Sequence, residues 1–155
     1  MAAGDIIREF GMGRIKVKLK TTTGCTKGQL LYYDTDGYAP ATQAIVNASL
    51  TADYKFLVAL ETVTAPASGQ SEVHALAEGV VEILKVTGAI VQGQFVGATT
   101  TAGQVGALAK PDAPASYAEA TAQAEFDKLQ YAAGYAVAAA ASGDATVKVR
   151  LVSRE

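Results

Sequence analysis

The sequence predicts a single, mainly β domain built as a small barrel or sandwich. Short apolar runs rich in β-branched residues recur along the chain, and Gly, Pro or Ser separates nearly all of them. The 155 residues are 50% hydrophobic, which is enough for one core without disulfides or metals. Trp is absent and Phe occurs only four times, so we expect packing by small side chains, β-branched residues and tyrosines.

The first element is a strand preceded by an arm. Arg14 to Lys20 alternates strictly between basic and apolar residues, which predicts either a half-buried antiparallel strand or a strand on a partner's surface. Residues 1–14 contain Ile6, Ile7 and Phe10 between glycines, and so short a segment cannot bury them alone. We therefore expect a flexible N-terminal arm over residues 1–14 and one β domain over residues 15–155.

The remaining elements are further short strands and one helix. Residues 114–129 have helix-forming composition, a capping box in Ser116 and Glu119, and an apolar face that includes Phe126 and Leu129. The chain then ends in a predicted β-hairpin that turns at residues 142–144. The predicted strands after the arm are residues 29–33, 56–63, 73–77, 80–86, 90–91, 95–98, 131–140 and 146–152.

One short residue pattern occurs at two turns of the sequence. Lys27 to Leu31 and Gln92 to Val96 share the order polar, Gly, Gln, apolar, apolar. The shared order is consistent with two matched β-arms. Because a turn glycine followed by a strand recurs in any β protein, we favour chance as the explanation.

Charge is unevenly distributed along the chain. Residues 1–27 carry a net +4 while the whole chain carries −2, so the rest carries −6. One interpretation is an arm that meets an acidic partner. The other is that Lys16, Lys18 and Lys20 form the solvated face of a strand, and the sequence leaves both open.

No pattern in the chain predicts catalysis. His74 is the only histidine, it lies in a strand-like run, and neither a nucleophile motif nor a partner accompanies it or Cys25. Asp34-x-Asp36-Gly37 resembles the start of a calcium loop, but the later ligands do not follow. We expect a non-enzymatic protein with no cofactor and no metal.

Binding to nucleic acid or to a membrane is also not expected. The glycine-containing segments lack the spacing of phosphate-binding loops, and the basic arm has no interleaved aromatic residues to stack bases. No stretch reaches the roughly 20 apolar residues of a membrane span, and the N-terminus lacks the apolar core of a signal peptide. We therefore expect a soluble protein that is not exported.

An ordered set of turn-and-strand motifs resembles a family of phage capsid cement proteins related to the lambda-type head decoration protein. The resemblance covers roughly residues 27–151. The motifs, in order, are residues 27–33 (KGQLLYY), 78–81 (EGVV), 91–98 (VQGQFVGA), 101–105 (TAGQV), 133–136 (AGYA) and 143–151 (GDATVKVRL).

The resemblance implies a β-barrel or β-tulip domain that forms homotrimers at the three-fold positions of an expanded icosahedral shell. It also implies that the N-terminal arm pairs with the major capsid protein, on the outer surface of the virion after assembly in the host cytoplasm. The expected contacts with the capsid are Ile6, Ile7, Phe10, Arg14, Lys16, Lys18 and Lys20. The alternative function is that of a non-viral adaptor or carrier domain of the same fold class, which binds a partner protein.

Overall fold

The computed structural model describes residues 2–9, 13–48, 55–113 and 118–152. In this part of the chain, eleven strands form two antiparallel sheets of six and five strands, and two helices connect strands within them. The elements are β1 (Ile6–Glu9), β2 (Arg14–Lys18), β3 (Leu30–Asp34), β4 (Gly37–Pro40), α1 (Gln43–Ala48), β5 (Leu57–Ala59), β6 (Glu72–Leu76), β7 (Gly79–Leu84), β8 (Phe95–Ala98), β9 (Val105–Ala107), α2 (Glu119–Gln130), β10 (Ala132–Ala136) and β11 (Thr146–Leu151).

The two sheets repeat one topology. The order in the first half is β2-β6-β5-β3-β4, and the order in the second half is β7-β11-β10-β8-β9, with β1 added beside β7. Each half therefore runs strand, strand, strand, helix, strand, strand, with its first strand paired to its last. We call residues 14–76 repeat 1 and residues 79–151 repeat 2.

The turn before the second strand is the same in both repeats. Gly28 and Gly93 have φ angles of 87° and 83°, which favour glycine. The N–H of Gly28 donates to the carbonyl of Ala59 at 2.8 Å, and the N–H of Gly93 donates to that of Ala136 at 2.7 Å. The residue order shared by residues 27–31 and 92–96 thus marks the same turn in two structural repeats, and the interpretation of this similarity as chance was wrong.

Each sheet curls until its first strand meets its third. A parallel bridge joins Leu19, just after β2, to Tyr38 of β4, and the equivalent bridge joins Lys85 to Val105. These bridges close both sheets into small barrels at one end. The barrel of repeat 1 is filled by Leu19, Cys25, Leu31, Leu57, Ala59, Val73 and Ala75.

The outer face of repeat 1 joins the core of repeat 2. Because side chains alternate along a strand, Leu31 points into the first barrel while Leu30 and Tyr32 point out. The outward residues belong to one buried cluster with Ile83 and Val96 of repeat 2. Repeat 2 therefore covers this face of repeat 1.

The N-terminal segment lies along repeat 2. Strand β1 pairs antiparallel with β7, the N–H of Gly4 donates to the carbonyl of Glu82 at 2.6 Å, and Lys27 forms a 2.9 Å ion pair with Asp5. The structure thus places β1 at the edge of a sheet, whereas the sequence predicts that residues 1–14 form a flexible arm. Mobility of the arm in solution, and the division at residue 14, stay predictions.

The mainly β fold class is confirmed, and most of the predicted strands are present. The predicted helix is also present, but it begins later, at Glu119, and its N-cap residue Ala118 makes no side-chain cap. The predicted cap Ser116 lies outside the described residues. Strands β4 and β9 and helix α1 are not predicted from the sequence. No helix in the described part of the chain has the length and apolarity needed to span a membrane.

Candidate partner-binding site

Strand β2 presents the predicted basic residues on the outside of repeat 1. Its side chains alternate, so Val17 packs against the barrel interior while Arg14, Lys16 and Lys18 are exposed. Ile15 points inward at the strand's open end and is 38% exposed. The strand prediction and its polar face are confirmed.

Acids from elsewhere in the fold face two of these lysines. Lys16 pairs with Glu72 across the β2–β6 ladder at 2.8 Å, and Lys20 pairs with Asp34 at 2.8 Å. The hydrogen bond between the first pair raises the pKa of Lys16 and lowers that of Glu72. The uncompensated charge suggested by the sequence is therefore reduced in the folded chain, although Lys18 adds to the positive potential beside Glu72.

In the part of the chain that the structure describes, the outer backbone edge of β2 is open at Lys16, whereas β1 covers the equivalent edge of β7. Bonds from Ala77 to Gly13 and from Leu19 to Ser71 show that the odd-numbered residues of β2 bond to β6. The N–H and C=O of Lys16 therefore point away from the sheet, and no backbone bond joins them to the described part of the chain.

The equivalent residue of β7 has both backbone groups bonded. The carbonyl of Glu82 accepts from Gly4 at 2.6 Å, and its N–H donates to the carbonyl of Asp5 at 3.1 Å. Repeat 2 thus shows an added strand at the position that repeat 1 leaves open. An exposed edge of this kind can pair with an extended segment of another protein.

Of the predicted apolar contacts of the arm, only Ile6 has a described side chain, and it does not lie at this edge. Ile6 lies on β1 in the sheet of repeat 2, and its side chain is partly buried against the cluster that contains Ile83 and Val96. Phe10 and the side chain of Ile7 lie outside what the structure describes. The role of these three residues in binding a capsid stays a prediction.

A second surface, not predicted from the sequence, lies on repeat 2. Phe95, Phe126 and Leu129 are exposed by 50%, 66% and 58%. Beside them lies a mostly apolar cavity of about 460 Å³, whose walls are Phe95, Leu108, Ala109, Lys110, Pro111, Lys128, Leu129 and Ala132. We call this surface the repeat 2 face. The helix face in the sequence contained two of its residues, but nothing in the sequence indicated that they are exposed.

The residues considered for chemistry are held in exposed polar contacts. Nδ1 of His74 lies 2.9 Å from Oε1 of Glu61, and the same oxygen accepts the backbone N–H of His74, which lowers the pKa of Glu61. In the turn after β3, Asp34 bonds to Lys20 and Asp36 accepts a hydrogen bond from the hydroxyl of Thr21. His74 lines neither the cavity of the repeat 2 face nor a second cavity beside β11.

In the described residues, fold and surfaces together define a small antiparallel β protein of two tandem repeats, in which β2 is an exposed edge strand. The chain is similar to the solved structure of the head fiber gp8.5 N base of bacteriophage phi29, with a TM-score of 0.49 and 13% sequence identity. The alignment covers 90% of this chain and 94% of that one. No protein-family model and no curated protein sequence matches the chain.

Proposed function

We propose that the protein is a structural virion protein of a tailed phage. It binds the outer surface of an icosahedral capsid as trimers at three-fold positions and stabilises the expanded shell. The observation that carries the proposal is the open edge of β2 with its basic side chains. The proposal does not rest on the likeness to the phi29 head fiber base.

The edge offers both halves of a strand-addition site. Its outward N–H and C=O groups give affinity for any extended backbone, and the side chains of Arg14, Lys16 and Lys18 favour an acidic segment. Strand β1 on β7 is an example of this pairing within the same chain. The partner we propose is an extended segment of the major capsid protein.

The fold suits a clamp that many copies apply to a shell. One buried cluster joins the outer face of repeat 1 to repeat 2, and a second cluster fills the barrel of repeat 1, so the domain is held by packing over most of its length. A rigid body with an exposed edge strand can join neighbouring capsid subunits without any catalytic chemistry. The resemblance of residues 27–151 to the capsid cement proteins agrees with this function.

The experiment compares two substitutions at one residue. Lys16→Pro removes the outward N–H without removing a bond to β6, because proline is tolerated at the open side of an edge strand. Lys16→Ala removes the same charge but keeps the N–H. Binding is measured by co-sedimentation with expanded shells assembled from the major capsid protein of the same genome.

We expect Lys16→Ala to bind almost as the unmodified chain, since an exposed ion pair contributes only about 0.2 to 1 kcal/mol. Lys16→Pro should bind far more weakly while its thermal unfolding midpoint stays close to that of Lys16→Ala. Equal binding by the two variants would exclude pairing at this edge. No binding by the unmodified chain would favour the adaptor function outside a virus.

A further inference from the structure

The face of repeat 1 that repeat 2 covers has an exposed counterpart on repeat 2. Leu30 and Phe95 are equivalent, because Ala41 donates to the carbonyl of Leu30 at 2.8 Å and Leu108 donates to that of Phe95 at 2.9 Å. Leu30 and Ala41 are fully buried, whereas Phe95 is 50% exposed. The apolar character of this face is thus present in both repeats, but the described residues cover it only in repeat 1.

Repeat 2 covers the face of repeat 1 and is joined to it by backbone hydrogen bonds. The carbonyl of Gly103 accepts from Leu30 at 2.8 Å, and the N–H of Gly103 donates to the carbonyl of Ala41 at 2.9 Å. The approach is close, because a Cβ on Gly103 would lie 2.8 Å from the Cβ of Gln29. A third bond runs from the N–H of Leu84 to the carbonyl of Gly28 at 3.0 Å.

The equivalent groups of repeat 2 make no such bonds. Within the described residues, the N–H of Phe95 and the carbonyls of Leu108 and Gly93 have no backbone partner. The contact between the repeats is therefore not reciprocal. A contact of this type uses two different surfaces, and copies joined by it form a ring or a filament.

Repeat 1 also has the other surface of that contact, and in the described residues this surface makes no backbone bond to repeat 2. Lys18 is equivalent to Leu84, and the turn at Asp36 is equivalent to the turn at Gly103, because each turn joins the second strand of its repeat to the third. Lys20 donates to the carbonyl of Tyr38 at 2.8 Å, so Lys18 and this turn lie on one edge. We call it the repeat 1 edge.

We propose that the repeat 2 face binds the repeat 1 edge of a second copy of this chain, head to tail. The contact within the chain is the precedent for the contact between copies. Lys110 lines the repeat 2 face, and the turn of the repeat 1 edge carries the exposed Asp36, while Asp34 is already paired with Lys20 at 2.8 Å. The turn at Asp36 is shorter than the equivalent turn at Gly103. Phe95, which the turn at Asp36 would contact in the second copy, is larger than Leu30, which the turn at Gly103 contacts within the chain.

The proposal rests on the proposed function for the number of copies only. A closed ring of three chains would place six similar barrels around one axis. The contact between copies does not depend on the capsid, since the repeat 2 face and the repeat 1 edge both belong to this chain.

The test measures the mass of the purified full chain and its variants by light scattering across micromolar concentrations. Phe95→Asp places a charge in the repeat 2 face and should convert the oligomer to monomer. Val91→Asp is the matched control. Val91 is 62% exposed, but its equivalent Thr26 stays exposed in repeat 1, so Val91 lies outside the contact.

We expect Val91→Asp to keep the mass of the unmodified chain, and Leu129→Asp, on α2, to behave as Phe95→Asp does. Thermal unfolding checks that each variant is folded, which the exposure of these side chains favours. A monomeric unmodified chain would overturn the proposal. So would an oligomer that tolerates both Phe95→Asp and Leu129→Asp, or one that Val91→Asp disrupts equally.

A mixing experiment tests the head-to-tail geometry. Asp36→Lys alters the repeat 1 edge and leaves the repeat 2 face intact, while Phe95→Asp does the reverse. Each variant alone should be monomeric, and an equimolar mixture should form dimers, because one intact contact remains. A mixture that stayed monomeric would contradict the head-to-tail contact. These measurements do not involve shells. They can therefore contradict the contact between copies while shell binding stands, and shell binding can be contradicted while the contact between copies stands.

Discussion

The equivalent turn glycines provide a direct test of whether the N-terminal segment is docked. Gly28 and Gly93 have nearly the same positive φ, so alanine at either position costs about 1 to 2 kcal/mol of backbone strain. A Cβ on Gly93 meets nothing within 4 Å. A Cβ on Gly28 would overlap the Cβ of Ala3 and would lie 2.9 Å from the backbone of that residue.

The clash at Gly28 adds a second cost in the full chain. If Ala3 is displaced, the two backbone bonds of Glu82 with Gly4 and Asp5 are lost, at about 0.5 to 1.5 kcal/mol each. Gly93→Ala should therefore lower the free energy of unfolding by about 1 to 2 kcal/mol, and Gly28→Ala by about 2 to 5 kcal/mol. Urea unfolding at constant m-value measures both.

Deleting residues 2–9 is the control. Without Ala3 the two alanine variants should lose similar stability, because only the backbone strain remains. If they cost the same in the full chain, the N-terminal segment does not pack against Gly28. The flexible arm expected from the sequence would then be the better description.

Two further predictions concern pH and the core. The pKa values of Glu61 and Glu72 are lowered in the fold, mainly by hydrogen bonds from His74 and Lys16, so their contribution to stability is present above about pH 4.5 and is lost as pH falls below it. Thermal unfolding at pH 7 and pH 3.5 should show this loss, and an unchanged midpoint would contradict it. Leu31→Ala, in the first barrel, should cost about 2 to 5 kcal/mol, whereas alanine at the 58% exposed Leu129 should change monomer stability by about 0.5 kcal/mol or less. Denaturant unfolding measures both, and similar losses would mean that the barrel interior is not the core.

The strands that were predicted from the sequence are those with enough residues to show a pattern. The alternation of residues 14–20 and of residues 146–152 predicts both strands and their inner faces, since a period of two has one structural meaning. Strand β9 has three residues, one of them Gly106, and β4 ends in Pro40. Such short segments form strands because neighbours pair with them, and local propensity does not reveal that.

The duplication was visible in the sequence as one shared turn and could not be established from it. The two repeats differ at most aligned core positions, for example Leu19 against Lys85 and Leu30 against Phe95. What they share is hydrogen-bond topology, which many sequences can specify. The open edge of β2 and the repeat 2 face were likewise hidden, because both depend on which surface the other repeat covers.

The most direct test of the central claim is electron cryo-microscopy of expanded capsid shells mixed with the purified protein. The proposal predicts density for three copies at each three-fold position on the outer surface, with a strand of the capsid protein beside β2. It also predicts that decorated shells denature at a higher temperature than bare shells. Density at other positions, or shells that stay bare at saturating concentration, would contradict the proposal.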